Sequence, residues 1–339
     1  MQTAVVILNW NGEKYLQQFL PALIKYTNNP EIEIIVADNA STDSSLLMMK
    51  EQFPTVRTIV LDQNYGFAGG YNKALTQIEA DYYVLLNSDV EVTQNWLKPM
   101  ISYMLEHEDV AACQPKVLSY FHRTHFEHAG AAGGYIDKFG FPFCRGRVLG
   151  FAEEDKGQYD TISDVFWATG ACMVVRSATY WKVGGLDDEF FAHMEEIDLC
   201  WRFKNRGYKI VCIPECTVFH IGGGTLNIES PYKTYLNFRN NLLMLYKNLP
   251  AKVLNNILFW RFIFDYAAAL QLFITGKPQN AFSIFKARKD YKMLLPDFEE
   301  KRKENIQLST IQNHNEILQK SIIFNYYLRG MNTFSDFWK

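Results

Sequence analysis

The chain has 339 residues, enough for one large domain plus an appendage, and its 34 basic and 37 acidic side chains leave a net charge of −3. That balance excludes general nucleic-acid binding, which needs a strong positive excess. The six cysteines, at 113, 144, 172, 200, 212 and 216, form no C-x-x-C pair and lie mostly in apolar stretches, so a reduced, cytosolic setting is expected rather than a disulfide framework. Met1-Gln2-Thr3 has no basic residue and Val5-Val6-Ile7-Leu8 is a short apolar run, so no secretory signal is expected.

In chain order, residues 4–8 predict a buried strand and 15–26 a helix, with apolar side chains at 16, 19, 20, 23 and 24. Residues 32–37 predict a second strand, and Ser41-Thr42-Asp43-Ser44 offers capping groups to the helix that follows. A strand over 56–61, a helix over 70–78 and a strand over 82–86 complete the first half. Such runs of Val, Ile and Leu between amphipathic helices predict an α/β fold with a mostly parallel sheet and helices on both faces. Residues 121–160 loosen into glycines and isolated aromatics, as a hairpin or flap would. Regular structure resumes over 165–175, and Ser177 can cap a short helix ending at Gly184-Gly185. A helix over 195–205 is stopped by Gly207, and 208–213 predict a strand.

Polar residues collect at the carboxyl ends of the early strands: Asn9, Asp38, Asn64 and Asp89. Any one of them can simply start a turn, but ligands of open α/β sheets bind along that edge. Asn87-Ser88-Asp89 ends an apolar run, and oxygen donors there suit Mg2+ or Mn2+, which would neutralise a departing diphosphate. Glu195 and Glu196 open a helix, where the dipole favours ionised carboxylates; near a sugar hydroxyl one of them can act as general base. Taken alone, that pair reads as a solvated first turn. Asp198 and Arg202, four residues apart, are expected to pair in support of the helix.

His220 ends the apolar Thr217-Val218-Phe219 and precedes Gly222-Gly223-Gly224. It is either a satisfied structural residue or a neutral imidazole sharing a metal with Asp89. The glycine-rich segment Asn64-Tyr65-Gly66-Phe67-Ala68-Gly69-Gly70-Tyr71-Asn72 runs into a helix whose first amides can bind an anion or a ribose. It matches neither G-x-G-x-x-G nor a Walker A loop, so dehydrogenase and P-loop readings lack support.

These segments, together with Val5-Val6-Ile7-Leu8-Asn9-Trp10-Asn11, Asp38-Asn39-Ala40-Ser41-Thr42-Asp43, Gly184-Gly185-Leu186-Asp187-Asp188 and Glu195-Glu196-x-Asp198-Leu199-x-x-Arg202, occur in an order that resembles family 2 glycosyltransferases of the GT-A fold, in the rhamnosyltransferase-like branch. The resemblance covers residues 3 to about 249 and implies a GT-A domain over 1–249 with a helical extension over 250–339. It implies an inverting, metal-dependent transferase that takes a sugar, rhamnose being favoured, from a nucleoside-diphosphate sugar. The acceptor would be a hydroxyl of a saccharide or polyprenyl-linked saccharide in cell-surface polysaccharide synthesis. Asn9, Asp38, Asn72 and Ser88 would line the nucleotide, Asp89 and His220 would hold Mg2+ or Mn2+, and Asp187 and Asp188 would face the acceptor. Glu196 is the expected base and Glu195 the other candidate.

Two positions depart from the family pattern: Asn87 stands where the metal motif often has Asp, and Glu196 where the base is usually Asp. The rival from another class is a non-catalytic member that binds a sugar nucleotide or scaffolds an assembly; detectable transfer or donor hydrolysis separates the two. A nucleotidyltransferase is a third reading, weakened because Asn9-Trp10-Asn11-Gly12 offers one glycine after the first strand.

Past Pro250 composition alone speaks. Residues 253–275 contain Arg261, Asp265 and Gln271, which argues against an independent membrane span. Residues 254–274 are apolar on nearly every helical face, and 277–292 carry five basic residues against one acidic. That pattern suits either peripheral contact with the inner membrane surface, at the cytoplasmic face, or a helix packed on the catalytic domain. Residues 299–319 predict a polar helix, and the aromatic stretch 324–338 is expected to dock back or to meet a partner.

Overall fold

The computed structural model describes residues 2–127, 130–222 and 230–338; Gly223 and Gly224 of the glycine run lie outside them. Strands with apolar side chains on both faces need cover on both, and Val5, Val6, Ile35 and Val84 are fully enclosed. β1 (Thr3–Asn9), β2 (Ile32–Asp38), β3 (Arg57–Val60) and β4 (Tyr82–Asn87) run parallel in the order β3-β2-β1-β4. Between them come α1 (Glu13–Tyr26), α2 (Ser45–Gln52) and α3 (Gly66–Leu75). Leu16 and Leu20 of α1 join the core on one face, and Ala68 and Tyr71 of α3 join the core on the other.

β5 (Val90–Val92), α4 (Lys98–Glu106) and β6 (Val110–Ser119) come next, followed by a small antiparallel sheet of β7 (Gly134–Asp137), β8 (Pro142–Cys144), β9 (Arg147–Val148) and β10 (Phe151–Ala152). The segment expected to be a hairpin or flap is thus a folded sheet with Tyr135, Phe143 and Val148 buried. The chain then forms β11 (Ser163–Asp164), β12 (Cys172–Arg176), α5 (Ser177–Lys182), α6 (Glu195–Asn205) and β13 (Lys209–His220). β12 enters antiparallel between β4 and β6, and β13 runs parallel to β6, so the sheet becomes mixed beyond β4. β13 is one long strand with a register shift between Ile213 and Thr217, which joins two segments the sequence separates.

Helices α7 (Pro231–Asn248), α8 (Ala251–Ile274) and α9 (Pro278–Gln307) form the extension. α9 absorbs the start of the polar segment expected as its own helix over 299–319; the rest turns into β14 (Ile317–Leu318), which pairs parallel with β7. After α10 (Ile322–Arg329), the short α11 (Phe334–Phe337) docks back. Phe334 lies 4.9 Å from the Tyr135 ring and Phe337 6.1 Å from Phe143.

α2 begins at Ser45, directly after the expected capping segment, and Asp43 of that segment serves it, accepting from the Ser45 amide at 3.0 Å. One helix start differs from expectation. α3 begins at Gly66, four residues before Gly70, because the Phe191 carbonyl accepts from the Phe67 and Ala68 amides at 2.6 and 3.2 Å. Those amides are therefore already engaged and do not form an open anion site. All six cysteines are buried and free.

Candidate active site

Parallel pairing sets Asn9 beside Asp38 at the ends of β1 and β2. The Asn9 amide donates to Asp38 Oδ2 at 2.9 Å and to Ser41 Oγ at 3.1 Å, while Asp38 Oδ1 accepts from the Ser41 amide at 2.8 Å. Asn9 Oδ1 is buried with no hydrogen-bond partner among the described residues. A Cβ on Gly12 would lie 2.4 Å from that oxygen and 3.3 Å from Ser88 Oγ. Gly12 therefore leaves a small cradle into which Asn9 Oδ1 and the Ser88 hydroxyl look, and an unpaired buried acceptor there fits a ligand that carries donors. Asn64, by contrast, spends its side-chain oxygen on Asn39 and on the Gly66 amide and builds the turn before α3.

The metal candidates come together through the sheet. β5 pairs antiparallel with the end of β13, placing His220 opposite Val90, next to Asp89. His220 Nε2 lies 3.1 Å from Asp89 Oδ1, and Glu127 Oε2 stands 3.1 Å from Nδ1 on the other side of the ring. Burial alone would lower the imidazole pKa, but Asp89 and then Glu127 outweigh it and lift the pKa to about 10. For Asp89, burial pulls upward and His220 downward; the histidine wins, so the carboxyl sits below its ordinary value.

Among the described residues no group of three or more His, Cys, Asp or Glu side chains forms a ready metal cluster. The pair nevertheless suits Mg2+ or Mn2+: one carboxylate oxygen and one imidazole nitrogen leave most coordination positions to phosphate oxygens. His220 would have to give up its Nε2 proton to ligate, and a Glu127 carboxylate at Nδ1 is the partner that orients a metal-binding imidazole.

α6 carries Glu195 and Glu196 in its first turn, delivered by an unusual loop. Phe191, His193 and Met194 all have positive φ, at 63°, 71° and 74°, a costly conformation for side chains of that size. Asn240 on α7 holds the loop by donating to the carbonyls of Phe190, Ala192 and His193, at 2.8 to 2.9 Å. The neighbouring Arg239 donates to the Glu189 carbonyl at 2.8 Å.

Oε2 of each glutamate is buried without a hydrogen-bond partner among the described residues. Burial works against the helix dipole at both glutamates. Burial pushes Glu195 well above its ordinary value, aided by the charges of Glu196 and Asp198, and pushes Glu196 up to about 7. Desolvation outweighs the dipole, since among the described residues neither carboxylate pairs with a cation.

Structural links join the two acidic regions. The Asn87 amide at the end of β4 donates to the Ala171 carbonyl at 3.0 Å. A Cβ on the adjacent Gly170 would press on Phe67 Cζ at 3.0 Å and lie in van der Waals contact with Glu196 Cβ at 3.9 Å. Glu196 and the Asn87-Ser88-Asp89 tip thus flank one short stretch, Gly170-Ala171.

The remaining expected residues hold the frame. Asn72 donates to the Leu186 carbonyl at 2.8 Å and to Asp188 Oδ1 at 2.5 Å, tying α3 to the 184–188 turn. Asp187 is buried and accepts from Lys247 at 2.7 Å and Lys301 at 2.6 Å. Burial would raise its pKa, yet the two lysines outweigh burial and keep it well below the carboxylate range. Asp188 is exposed. Asp198 pairs with Arg202 at 2.9 Å, as the spacing predicts, and with Lys247 at 2.9 Å.

Sequence reasoning did not single out Glu127, Asn240, Lys247 or Lys301, and it read Gly12 only as one glycine too few. The dipeptide Asn240-Asn241 in an otherwise helical stretch was the one available signal, since asparagine is a weak helix former.

Comparison with known proteins agrees with this architecture. The family model described as Glycosyl transferase family 2 matches residues 4–178. The N-acetylglucosaminyl-diphospho-decaprenol L-rhamnosyltransferase of Mycobacterium tuberculosis is 24% identical over 231 residues, covering 64% of this chain and 75% of that protein. Among solved structures, S. aureus TarS 1-349 in complex with UDP-GlcNAc superposes with a TM-score of 0.55 at 18% identity, over 91% of this chain and 89% of that one. GalNAc-T7 with UDP, GalNAc and Mn2+ gives a TM-score of 0.57 at 15% identity, over 73% of this chain and 48% of that one. At these identities the structural likeness establishes the GT-A fold.

Proposed function

The chain belongs to glycosyl transferase family 2, in its rhamnosyltransferase-like branch, and on that premise we propose an inverting, metal-dependent hexosyltransferase. Its donor is a nucleoside-diphosphate sugar, with dTDP-rhamnose the favoured candidate. Its acceptor is a hydroxyl of a saccharide or polyprenyl-linked saccharide used in polysaccharide synthesis, which a lipid-linked form would bring to the inner, cytoplasmic membrane surface. The observation that carries the reading is the shared Gly170-Ala171 stretch, which lies against Glu196 at Gly170 and is bonded at Ala171 by the Asn87 amide that leads into Asp89.

In this reading Asp38, Asn9 and Ser88 receive the nucleoside, with Asn9 Oδ1 as the open acceptor. Asp89 and His220 hold Mg2+ or Mn2+, which when bound neutralises charge on the diphosphate. Glu196 takes the proton of the acceptor hydroxyl as its oxygen bonds to the anomeric carbon and the bond to the diphosphate breaks. A carboxylate with a pKa of about 7 is matched to that task near neutral pH. Asn72 and Asp187 serve by fixing the 184–188 turn, and the exposed Asp188, held by Asn72 through Oδ1, is the residue of that turn that faces the acceptor.

A panel of nucleotide sugars, read by release of the nucleoside diphosphate with and without Mn2+, tests the proposal. Release from one or a few donors, dependent on metal, is expected and excludes a scaffold role. No release from any donor, with a sugar nucleotide still bound, would favour the non-catalytic reading.

A further inference from the structure

The C-terminal hairpin of α8 and α9 presents a face that the fold leaves uncovered. α8 is 24 residues long and apolar enough to cross a membrane, but only 17% of its most apolar window is buried. Its outward side carries Phe259, Phe262, Leu270, Phe273 and Ile274, with Ile274 77% exposed. α9 continues the surface with Phe282, Phe285 and Met293. Large exposed apolar patches mark an interaction surface.

The two charges inside α8 point the other way. Arg261 and Asp265 are 2% and 0% exposed; Arg261 donates to Asp265 at 3.3 Å and to Asn241 on α7, and Arg288 of α9 closes on the same Asp265. The Arg261 guanidinium also lies 4.0 Å from the centre of the Phe141 ring. These bonds fasten the inner face of α8 to the rest of the protein, so the helix is built to lie along a surface rather than to cross it. The interior charges that argue against a span are what free the outer face from polarity.

Charge identifies the occupant. From residue 251 to 294 the exposed charged side chains are Lys252, Lys277, Lys286, Lys289 and Lys292, all basic; the exposed Asp297, Glu299 and Glu300 come later, in the second half of α9. The two acidic residues in that range are engaged: Asp265 as above, and Asp290 with the Tyr235 hydroxyl at 2.8 Å. An aromatic face rimmed by lysines fits the boundary between acyl chains and anionic headgroups.

We propose that the α8–α9 hairpin docks this protein on an anionic lipid bilayer, its aromatic side chains inserting and its lysines meeting the headgroups. The proposal rests on the exposed face alone and stands whether or not the transferase reading does.

Co-flotation of the full chain with vesicles tests it. The protein is expected to float with vesicles of phosphatidylcholine and phosphatidylglycerol in equal parts, and to be released by high salt. It should bind vesicles of phosphatidylcholine alone about tenfold less, since each lysine near an anionic surface adds to affinity. The double variant Leu270→Glu with Phe273→Glu, both at exposed positions, is expected to lose flotation by about tenfold or more while keeping its far-ultraviolet circular dichroism and melting temperature. Failure of the unmodified chain to float would overturn the proposal, as would equal binding to neutral vesicles. So would a stable dimer in solution that the double variant dissociates, because a second copy would then be the cover.

Discussion

His220 and Asp89 lie 131 residues apart in sequence, yet Nε2 and Oδ1 approach to 3.1 Å because antiparallel pairing of β5 with β13 sets His220 opposite Val90, beside Asp89. Without a cation the pair behaves as an ion pair, with the imidazole protonated up to about pH 10. Titration of UDP and dTDP by calorimetry, with and without Mn2+, should show a metal-dependent gain in affinity that Asp89→Ala and His220→Ala both abolish. Glu127→Gln, which alters the partner of Nδ1, should weaken that gain by about tenfold. Equal affinities with and without metal would remove the pair from the metal assignment.

Gly12 offers a test of the nucleotide cradle that removes no polar group. Its φ of −109° suits alanine, so the backbone would accept the change. The new methyl would sit 2.4 Å from Asn9 Oδ1 and crowd Ser88. Gly12→Ala is expected to weaken nucleotide binding by about tenfold, or ~1.4 kcal/mol, with little change in melting temperature.

Asn240 acts on Glu196 through the loop it clamps. Removing its three hydrogen bonds in Asn240→Ala lets Phe191, His193 and Met194 relax from positive φ and shifts the start of α6. The expected result is a kcat lower by ~10- to 100-fold with donor KM nearly unchanged, as displacement of a catalytic group by about 1 Å can cost that much. A change confined to thermal stability would give Asn240 a structural role only.

Glu195 makes a prediction about stability. Burial raises its pKa first, and the charges of Glu196 and Asp198 add to this, so the folded state holds the proton more tightly than the unfolded chain. For an acid shifted in that direction, stability is intact below the unfolded pKa near 4.5 and declines as pH rises above it. Glu195→Gln, which cannot ionise, is therefore expected to gain stability relative to the unmodified protein as pH rises from about 4 to about 8. Urea denaturation at the two pH values gives the comparison.

What could be read in advance was what local chemistry decides. The tips at Asn9, Asp38 and Asp89 stood out because a buried strand rarely ends in polar residues without a use for them. The pair Asp198 and Arg202 followed from helical spacing alone. The boundaries of α6 at 195 and 205 followed from the acidic first turn and Gly207.

What escaped was decided by distant parts of the chain. The start of α3 depends on a carbonyl at Phe191, more than a hundred residues later. The partner of His220 comes from Glu127 in an irregular segment, where no periodicity marks it. The upward shift of Glu195 and Glu196 comes first from burial, which depends on the folded chain around them. A helix-start position suggests the opposite sign, because it registers the dipole and not the loss of water.

The central claim is that Glu196 is the base that activates the acceptor across from the diphosphate site. The most direct measurement is transfer by Glu196→Gln, beside donor affinity and the pH dependence of the unmodified enzyme. The account predicts donor affinity unchanged, transfer reduced by ~100-fold or more, and a wild-type rate that falls as pH drops through about 7, where Glu196 becomes protonated. Turnover by Glu196→Gln at the wild-type rate, with the same pH profile, would contradict it.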